Sequence, residues 1–285
     1  MGLKPTFTYG GSCRDSMIYC GEKISQNTFM TKPRTYQTPA IVIKKTKLGE
    51  ADRILTLYTP GLGKIQGVAK AVRKPKSKLS GHLEMLSYSQ VTLARGRNID
   101  TIIGSQTLNA FLEIKNDLDL LSYALYMAEM VNQFTPPETE DPQLFDLLLR
   151  TLEELPQASD RDLLLRHFEL HLLRRVGYRP ELEKCVLCRQ TLESVTNAFA
   201  PSAGGVLCPS CQRLGKHYGY ALSWDGLGVM RFIQGGDWES VSVTPIDRGA
   251  LAEVERLMRI YIRHLLEKDV KSAAWLDSLK QGPSA

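Results

Sequence analysis

The sequence lacks a long apolar segment. Its longest stretch without a charged side chain, residues 194–212, is rich in Ser, Pro, Gly and Cys, whereas a membrane-spanning helix needs roughly 18 consecutive apolar residues. The N-terminus also lacks the apolar core of a signal peptide. We therefore expect a soluble, cytoplasmic protein of 285 residues, long enough for one to three globular domains.

Cysteine is scarce for a disulfide-stabilised fold, with 6 in 285 residues. So few cysteines in so long a chain exclude a small disulfide scaffold. Cys13 and Cys20 lie in a leader, residues 1–35, that has no helical or strand periodicity. We interpret this leader as disordered, or as the product of a wrongly assigned start, with Met17 and Met30 as the alternatives to Met1.

Acidic residues are scarce in one part of the chain. Residues 30–115 carry 15 Lys and Arg against 5 Asp and Glu, whereas residues 116–184 carry 7 against 14. A basic region beside an acidic one predicts that the first binds an anionic partner.

Residues 36–112 are typical of a small β-barrel. They contain five short β-branched runs separated by turn residues, which is typical of an OB-type barrel, with an SH3-like barrel as the alternative. The runs begin near Pro39, Ala51, Lys64, Met85 and Ile99. Gly67 inside the third run indicates a possible bulge.

Residues 113–180 and 218–285 have helical periodicity and predict one α-helical domain. Asp141 before Pro142 predicts a capped helix start. The pair Ser159 and Asp162 has the spacing of a capping box, and Gly177 predicts the end of that helix. Together with the barrel, these segments predict an α+β multidomain fold.

Residues 181–217 contain the strongest motif, two C-x-x-C pairs separated by 19 residues. Two thiolate pairs at this spacing can close a tetrahedron around Zn²⁺ and leave no position for water, so we predict one structural zinc ion in a zinc-ribbon-like module with a hairpin over residues 195–206. An iron–sulfur cluster and a redox dithiol are the alternatives. The predicted ligands are Cys185, Cys188, Cys208 and Cys211.

Basic residues cluster in the barrel region, and no acidic residue interrupts residues 64–78. On a barrel they could form a groove for a phosphate backbone. Tyr58 and Tyr88 are the nearby aromatic residues, and we interpret both as core residues, which leaves little sequence readout. The predicted DNA-binding residues are Lys44, Lys45, Lys64, Lys70, Arg73, Lys74, Lys76, Lys78, Arg95 and Arg97.

Motifs for catalysis are missing. There is no G-x-S-x-G elbow, and Ile65 follows Lys64 where a P-loop needs Ser or Thr. His167 and His171 have a metal-capable spacing, but Phe168 stands where a zinc protease needs Glu, so we interpret both as surface or capping histidines. We expect no enzymatic activity.

Two segments resemble the bacterial RecO recombination-mediator family. They are residues 48–64, LGEADRILTLYTPGLGK, and residues 168–185, FELHLLRRVGYRPELEKC, within a resemblance that runs from Tyr36 to the late 270s. The resemblance implies an N-terminal OB-fold, a helical domain and a zinc module. It also implies a protein without catalytic activity that binds single- and double-stranded DNA and anneals complementary strands.

The resemblance further implies partners: RecR, the C-terminal tail of single-strand-binding protein and, indirectly, RecA. Arg174 and Arg175 are the candidates for the acidic tail. Such a protein is expected in the cytoplasm, associated with the nucleoid. The alternatives are an RNA-binding zinc-ribbon protein, a metal-dependent nuclease and a scaffold for an acidic protein.

Overall fold

The structure is a computed structural model that describes residues 33–72 and 81–280. Residues 1–32, which hold the three candidate start methionines as well as Cys13 and Cys20, lie outside the described residues. The same holds for residues 73–80, with Arg73, Lys74, Lys76 and Lys78, and for residues 281–285.

Five strands form the closed barrel that the sequence predicts, in the order β1-β2-β3-β5-β4. All neighbouring pairs are antiparallel except β3 and β5, which pair in parallel, as in an OB-fold. The inward side chains of these strands form a core of their own. The strands are β1 (Thr35–Leu48), β2 (Asp52–Thr59), β3 (Gly63–Ala69), β4 (Tyr88–Ala94) and β5 (Asp100–Asn109).

The bulge predicted at Gly67 is wrong. The register of β2 with β3 is unbroken there, and β1 is irregular instead, between Val42 and Lys44. A Cβ atom at Gly67 would lie 2.8 Å from Cγ1 of Ile102. Glycine is therefore needed because β5 approaches the backbone of β3 closely.

Nine helices are described after the barrel, and most bury one face against the others. Helix α2 buries residues such as Leu120, Met127 and Val131, whereas Leu118 at its start is 64% exposed. The helices are α1 (Leu112–Asn116), α2 (Leu118–Phe134), α3 (Pro142–Glu154), α4 (Arg161–Arg175), α5 (Pro209–Arg213), α6 (Trp224–Gly235), α7 (Trp238–Val243), α8 (Arg248–Leu266) and α9 (Lys271–Lys280).

Two of the three predicted helix boundaries are confirmed. Asp141 accepts a hydrogen bond from the amide of Leu144, and Gly177 ends α4 with a φ of +86°. The capping box at Ser159 is wrong, because Asp160 caps α4. The carboxylate of Asp162 instead accepts a hydrogen bond from the Tyr123 hydroxyl of α2 at 2.7 Å.

An aromatic cluster joins the barrel to the helices. The ring of Phe145 on α3 lies 6.3 Å from the ring of Tyr58 and 5.9 Å from that of Tyr88. Tyr58 is fully buried. The interpretation of these tyrosines as packing residues is confirmed.

The cysteine-containing segment lies between α4 and α6 and contains a three-stranded sheet in the order β7-β6-β8. Strands β6 (Asn197–Ala200) and β7 (Gly205–Leu207) form the predicted hairpin, and β8 (Tyr220–Leu222) pairs with β6. The rings of Phe199 and Tyr261 meet edge to face at 5.3 Å, which fixes the sheet against α8. No helix in the described part of the chain combines the length and apolarity needed to span a membrane.

Candidate nucleic-acid interface and metal centre

The four predicted metal ligands converge at one point. Their Sγ atoms all lie within 4.8 Å of one another, although 19 residues separate the two pairs. Cys185 and Cys188 lie in the turn after α4, while Cys208 immediately precedes α5 and Cys211 lies inside it. The hairpin of β6 and β7 brings the two turns together.

The spacing of the sulfurs fits a tetrahedral metal ion. The Sγ atoms of Cys188 and Cys208 are 3.8 Å apart. A tetrahedron with metal–sulfur bonds of about 2.3 Å has sulfur–sulfur edges of about 3.8 Å. The four cysteines could therefore hold a metal ion without moving far.

The backbone around Cys185 favours a thiolate. Burial opposes ionisation, but the amides of Cys208, Cys188 and Leu187 point at this sulfur and lower the pKa of Cys185 to about 6. The amide of Cys208 donates to it at 3.4 Å. Since metals bind the thiolate form, this turn prepares a ligand at neutral pH.

One end of the barrel collects basic side chains from distant parts of the sequence. Three strand pairings bring four strand ends together. The start of β1 pairs with the end of β4 (Thr35 with Ala94), and the end of β4 pairs with the start of β5 (Ala94 with Thr101). The start of β5 also pairs with the last residues of β3 (Asp100 with Gly67). We call this surface the basic end; its exposed cations in the described residues include Arg34, Lys70, Arg95 and Arg97, and the half-buried Arg53 pairs with Ala69 at the end of β3.

Two carboxylates at the basic end already have partners within the protein. Asp100 accepts a hydrogen bond from the Tyr36 hydroxyl at 2.6 Å, and its other oxygen accepts from the amide of Gly96. Asp52 accepts from the amide of Ala71 at 2.7 Å. These acids bond to tyrosine and backbone donors, and among the described residues neither forms an ion pair with Arg34, Lys70, Arg95 or Arg97, so these cations can contact an external anion.

Tyr36 also supports one of the cations. The guanidinium of Arg95 lies 4.7 Å above the centre of the Tyr36 ring. Burial and the bond to Asp100 raise the pKa of Tyr36, so the hydroxyl stays a neutral donor at physiological pH. Sequence reasoning missed Tyr36 and Arg34, since only the pairing of β1 with β4 places them beside Arg95.

Among the described residues, the other three predicted DNA-binding lysines, Lys44, Lys45 and Lys64, lie elsewhere on the barrel. Lys64 donates a hydrogen bond to the carbonyl of Asn132 on α2 at 2.6 Å, and burial together with the nearby charge of Lys44 lowers its pKa. Lys45 pairs with Glu84. Lys44 is exposed, but it does not lie at the basic end.

Comparisons with known proteins match nearly all of the described residues. The family models described as "Recombination protein O N terminal" and "Recombination protein O C terminal" match residues 30–111 and 115–274. The chain is 49% identical over 251 residues to the "DNA repair protein RecO" of Dehalococcoides mccartyi strain CBDB1, covering 88% of this chain and 98% of that protein. The chain belongs to the RecO family. It is also 38% identical to the protein of that name from Roseiflexus sp. strain RS-1, over 88% of each.

A groove between α3, α4 and α7 contains the two arginines that the RecO resemblance proposes for an acidic tail. Its volume is about 630 Å³. Arg175 is already paired with Asp141, and Arg150 with Asp146. Arg174 is exposed at the rim. Five acidic side chains line this groove: Asp146, Glu153, Glu154, Asp237 and Glu239.

Of the interpretation of His167 and His171 as surface or capping histidines, the surface part is wrong for His167, whereas His171 contacts a carbonyl in the last turn of α6. His167 is only 6% exposed, and its ring stacks on that of His171 with centroids 4.1 Å apart. His171 Nε2 lies 3.1 Å from the carbonyl oxygen of Ile233 on α6. The two rings therefore pack α4 against α6 and α7, where Trp238 lies 5.7 Å from His167.

Proposed function

We propose that the protein is a recombination mediator in DNA repair that binds single- and double-stranded DNA and anneals complementary strands. The observation that carries the proposal is the basic end of a RecO-family barrel, where the adjacent ends of β3, β4 and β5 are followed or flanked by the exposed cations Lys70, Arg95 and Arg97. Four further cations, Arg73, Lys74, Lys76 and Lys78, follow Lys70 in the sequence, outside the described residues, and we propose them as additional DNA contacts.

Annealing follows from charge neutralisation. Two strands repel each other through their phosphates, and a cationic surface that contacts both lowers that repulsion. Release of condensed counterions supplies much of the affinity, so for about five phosphate contacts to a single strand the log–log salt slope is about −3.5. No covalent bond forms or breaks, so the proposed activity needs no catalytic residue.

The proposed partners follow from family membership. They are RecR, the acidic C-terminal tail of single-strand-binding protein and, through displacement of that protein, RecA; the proposed location is the nucleoid. Arg174 supports docking of the tail in the groove between α3, α4 and α7, since it is exposed and lacks an ion pair among the described residues. The acidic lining of that groove opposes it.

The proposed metal is one structural Zn²⁺ held by Cys185, Cys188, Cys208 and Cys211. Four thiolates would satisfy its coordination and leave no open position for hydrolysis. Its role is to tie α5 and the β6–β7 hairpin to the turn that follows α4.

The test is annealing of labelled complementary oligonucleotides across a salt series, with and without single-strand-binding protein. Native protein is compared with Lys70→Glu/Arg97→Glu at the basic end. Lys268→Glu/Lys271→Glu is the matched control, since it changes the net charge equally at exposed positions near α9. We expect the control to anneal like the native protein and the first variant to lose most of the activity.

Two results would overturn the proposal. Equal loss in both double variants would assign the effect to net charge, and absence of DNA binding by the native protein would reject the mediator function. A parallel series with RNA, and incubation of DNA with Mg²⁺ or Mn²⁺, covers the RNA-binding and nuclease alternatives.

A further inference from the structure

The segment between α5 and β8 exposes an aromatic pair. The Tyr218 side chain is 74% exposed, and its ring meets that of Tyr220 edge to face at a centroid distance of 4.9 Å. Tyr220 is half-buried in the sheet. One ring is therefore held by the fold while the other presents its surface to solvent.

The backbone fixes this pair in place. Gly219 separates the two tyrosines, and a Cβ atom there would lie 2.7 Å from Cβ of Ala198 on β6. The chain thus runs directly against β6 between the two rings. Because the backbone beside Tyr218 is held in this way, less conformational entropy is lost when the segment binds a ligand.

The stretch of sequence that contains the pair carries positive charge only. Residues 194–224 contain no Asp or Glu, while Arg213 and Lys216 are exposed. Neither of these two cations forms an ion pair with a carboxylate in the described residues; Arg213 donates only to the Ser210 hydroxyl, at 3.3 Å. His217 shares a 3.0 Å hydrogen bond with Ser202, which ties the segment to the hairpin.

We propose that Arg213, Lys216, Tyr218 and Tyr220, the Tyr218 patch, form a second DNA site that stacks an unpaired base of single-stranded DNA. An exposed aromatic ring beside unpaired cations is the arrangement that binds single strands, with the ring contacting a base and the cations contacting phosphates. Duplex DNA hides its base faces, so the patch is specific for single strands. This inference rests on the proposed function and places a second contact outside the barrel.

The first test measures affinity for a fluorescent oligo(dT) strand and for a duplex of equal length. Tyr218→Ala removes the ring, Tyr218→Phe keeps it, and Leu214→Ala is a matched control because Leu214 is 64% exposed in the same segment. One stacked base contributes ~1 kcal/mol or more, which is about fivefold in Kd. We expect Tyr218→Ala to weaken oligo(dT) binding about fivefold, and the other two variants to stay within twofold.

Duplex affinity serves as the internal control for folding. Tyr218→Ala should leave it unchanged, because no base face is available to stack. Equal loss on single strands and duplex would overturn the stacking role, since it would indicate damage to the module or a purely electrostatic effect.

The second test uses the native chain and does not depend on any variant folding. Oligonucleotides that contain 5-iododeoxyuridine are irradiated with the protein, and the cross-linked peptides are sequenced by mass spectrometry. We expect adducts at Tyr218 or Tyr220. Adducts confined to the barrel, with unchanged oligo(dT) affinity of Tyr218→Ala, would overturn the patch and leave the mediator function standing, whereas a native protein that binds no DNA would reject both.

Discussion

Arg166 and Glu169 form an ion pair inside the helical core, with Nη2 of the arginine 3.0 Å from Oε1 of the glutamate. Their side chains are 1% and 0% exposed. The hydroxyl of Tyr126 on α2 donates to the same carboxylate at 2.6 Å. Glu255 lies on α8. Burial opposes its ionisation, but the positive charges of Arg166 on α4 and Lys280 on α9 lower the pKa of Glu255 to about 2. Ion pairs and the Tyr126 hydrogen bond therefore link α2, α4, α8 and α9.

We predict that Arg166→Met destabilises the protein by about 3–5 kcal/mol. The substitution leaves the Glu169 carboxylate buried without its cation, and breaking one half of a buried pair costs about that much. Urea unfolding followed by circular dichroism gives the free energy of unfolding. Arg166→Met/Glu169→Gln is the control, since Gln still accepts from Tyr126 and carries no charge. A single variant as stable as the native chain would contradict the prediction.

Stability should fall as the pH drops from 6.5 towards 4, because of His167. Burial and the nearby His171 lower its pKa to about 4, whereas an unfolded histidine titrates near 6.5. In that window the unfolded chain binds more protons, so falling pH favours unfolding, and the effect vanishes above pH 6.5. Between pH 7.5 and 5.5 we expect a loss of about 1 kcal/mol.

His167→Gln isolates this contribution. The variant should show a smaller loss between the same two pH values, whatever its absolute stability. Asp237 and Gly236 face the ring and favour protonation, so neither accounts for the lowered pKa. Identical pH dependence in both proteins would assign the effect to other groups.

We expect one equivalent of bound metal per chain, and we expect Cys211→Ser to lower this metal content. Cys211 is buried within α5, so its sulfur cannot be replaced by water without opening the module. Metal analysis after gel filtration counts the ions and identifies zinc. Cys13→Ser/Cys20→Ser is the matched control, because it removes two cysteines outside the four-sulfur cluster. Loss of metal in the control would show that the ligand set is different.

Lys64 and Lys70 should differ in their effect on DNA binding, although the sequence treats them alike. Lys64 bonds to the carbonyl of Asn132, whereas Lys70 is exposed at the basic end. Lys70→Gln should reduce the salt slope for single strands by about 0.7, which corresponds to one phosphate contact. Lys64→Met should leave the slope unchanged and lower the free energy of unfolding instead. Titrations at several salt concentrations measure the slope, and equal slopes for both variants would contradict the assignment.

Local patterns in the sequence were sufficient to predict the barrel, the main helices and the cysteine cluster. Five alternating runs, the cap at Asp141 and the two C-x-x-C turns each depend on neighbours within a few residues. Predictions failed where the deciding neighbour is distant in sequence. The need for glycine at position 67 is set by Ile102 on another strand, and the burial of His167 is set by residues of α6 and α7.

The sequence by itself determined the class of fold, the four cysteines that cluster and the excess of positive charge in the barrel region, because periodicity, spacing and composition are local properties. Tertiary structure alone decided which cations are available. It commits Lys64 and Lys45 to partners within the protein, brings Arg34 beside Arg95, and leaves Tyr218 exposed. The reason is that a hydrogen bond or a buried ring requires contact between segments that are distant in sequence. Closure of the barrel and packing of the helices determine which of these segments are in contact.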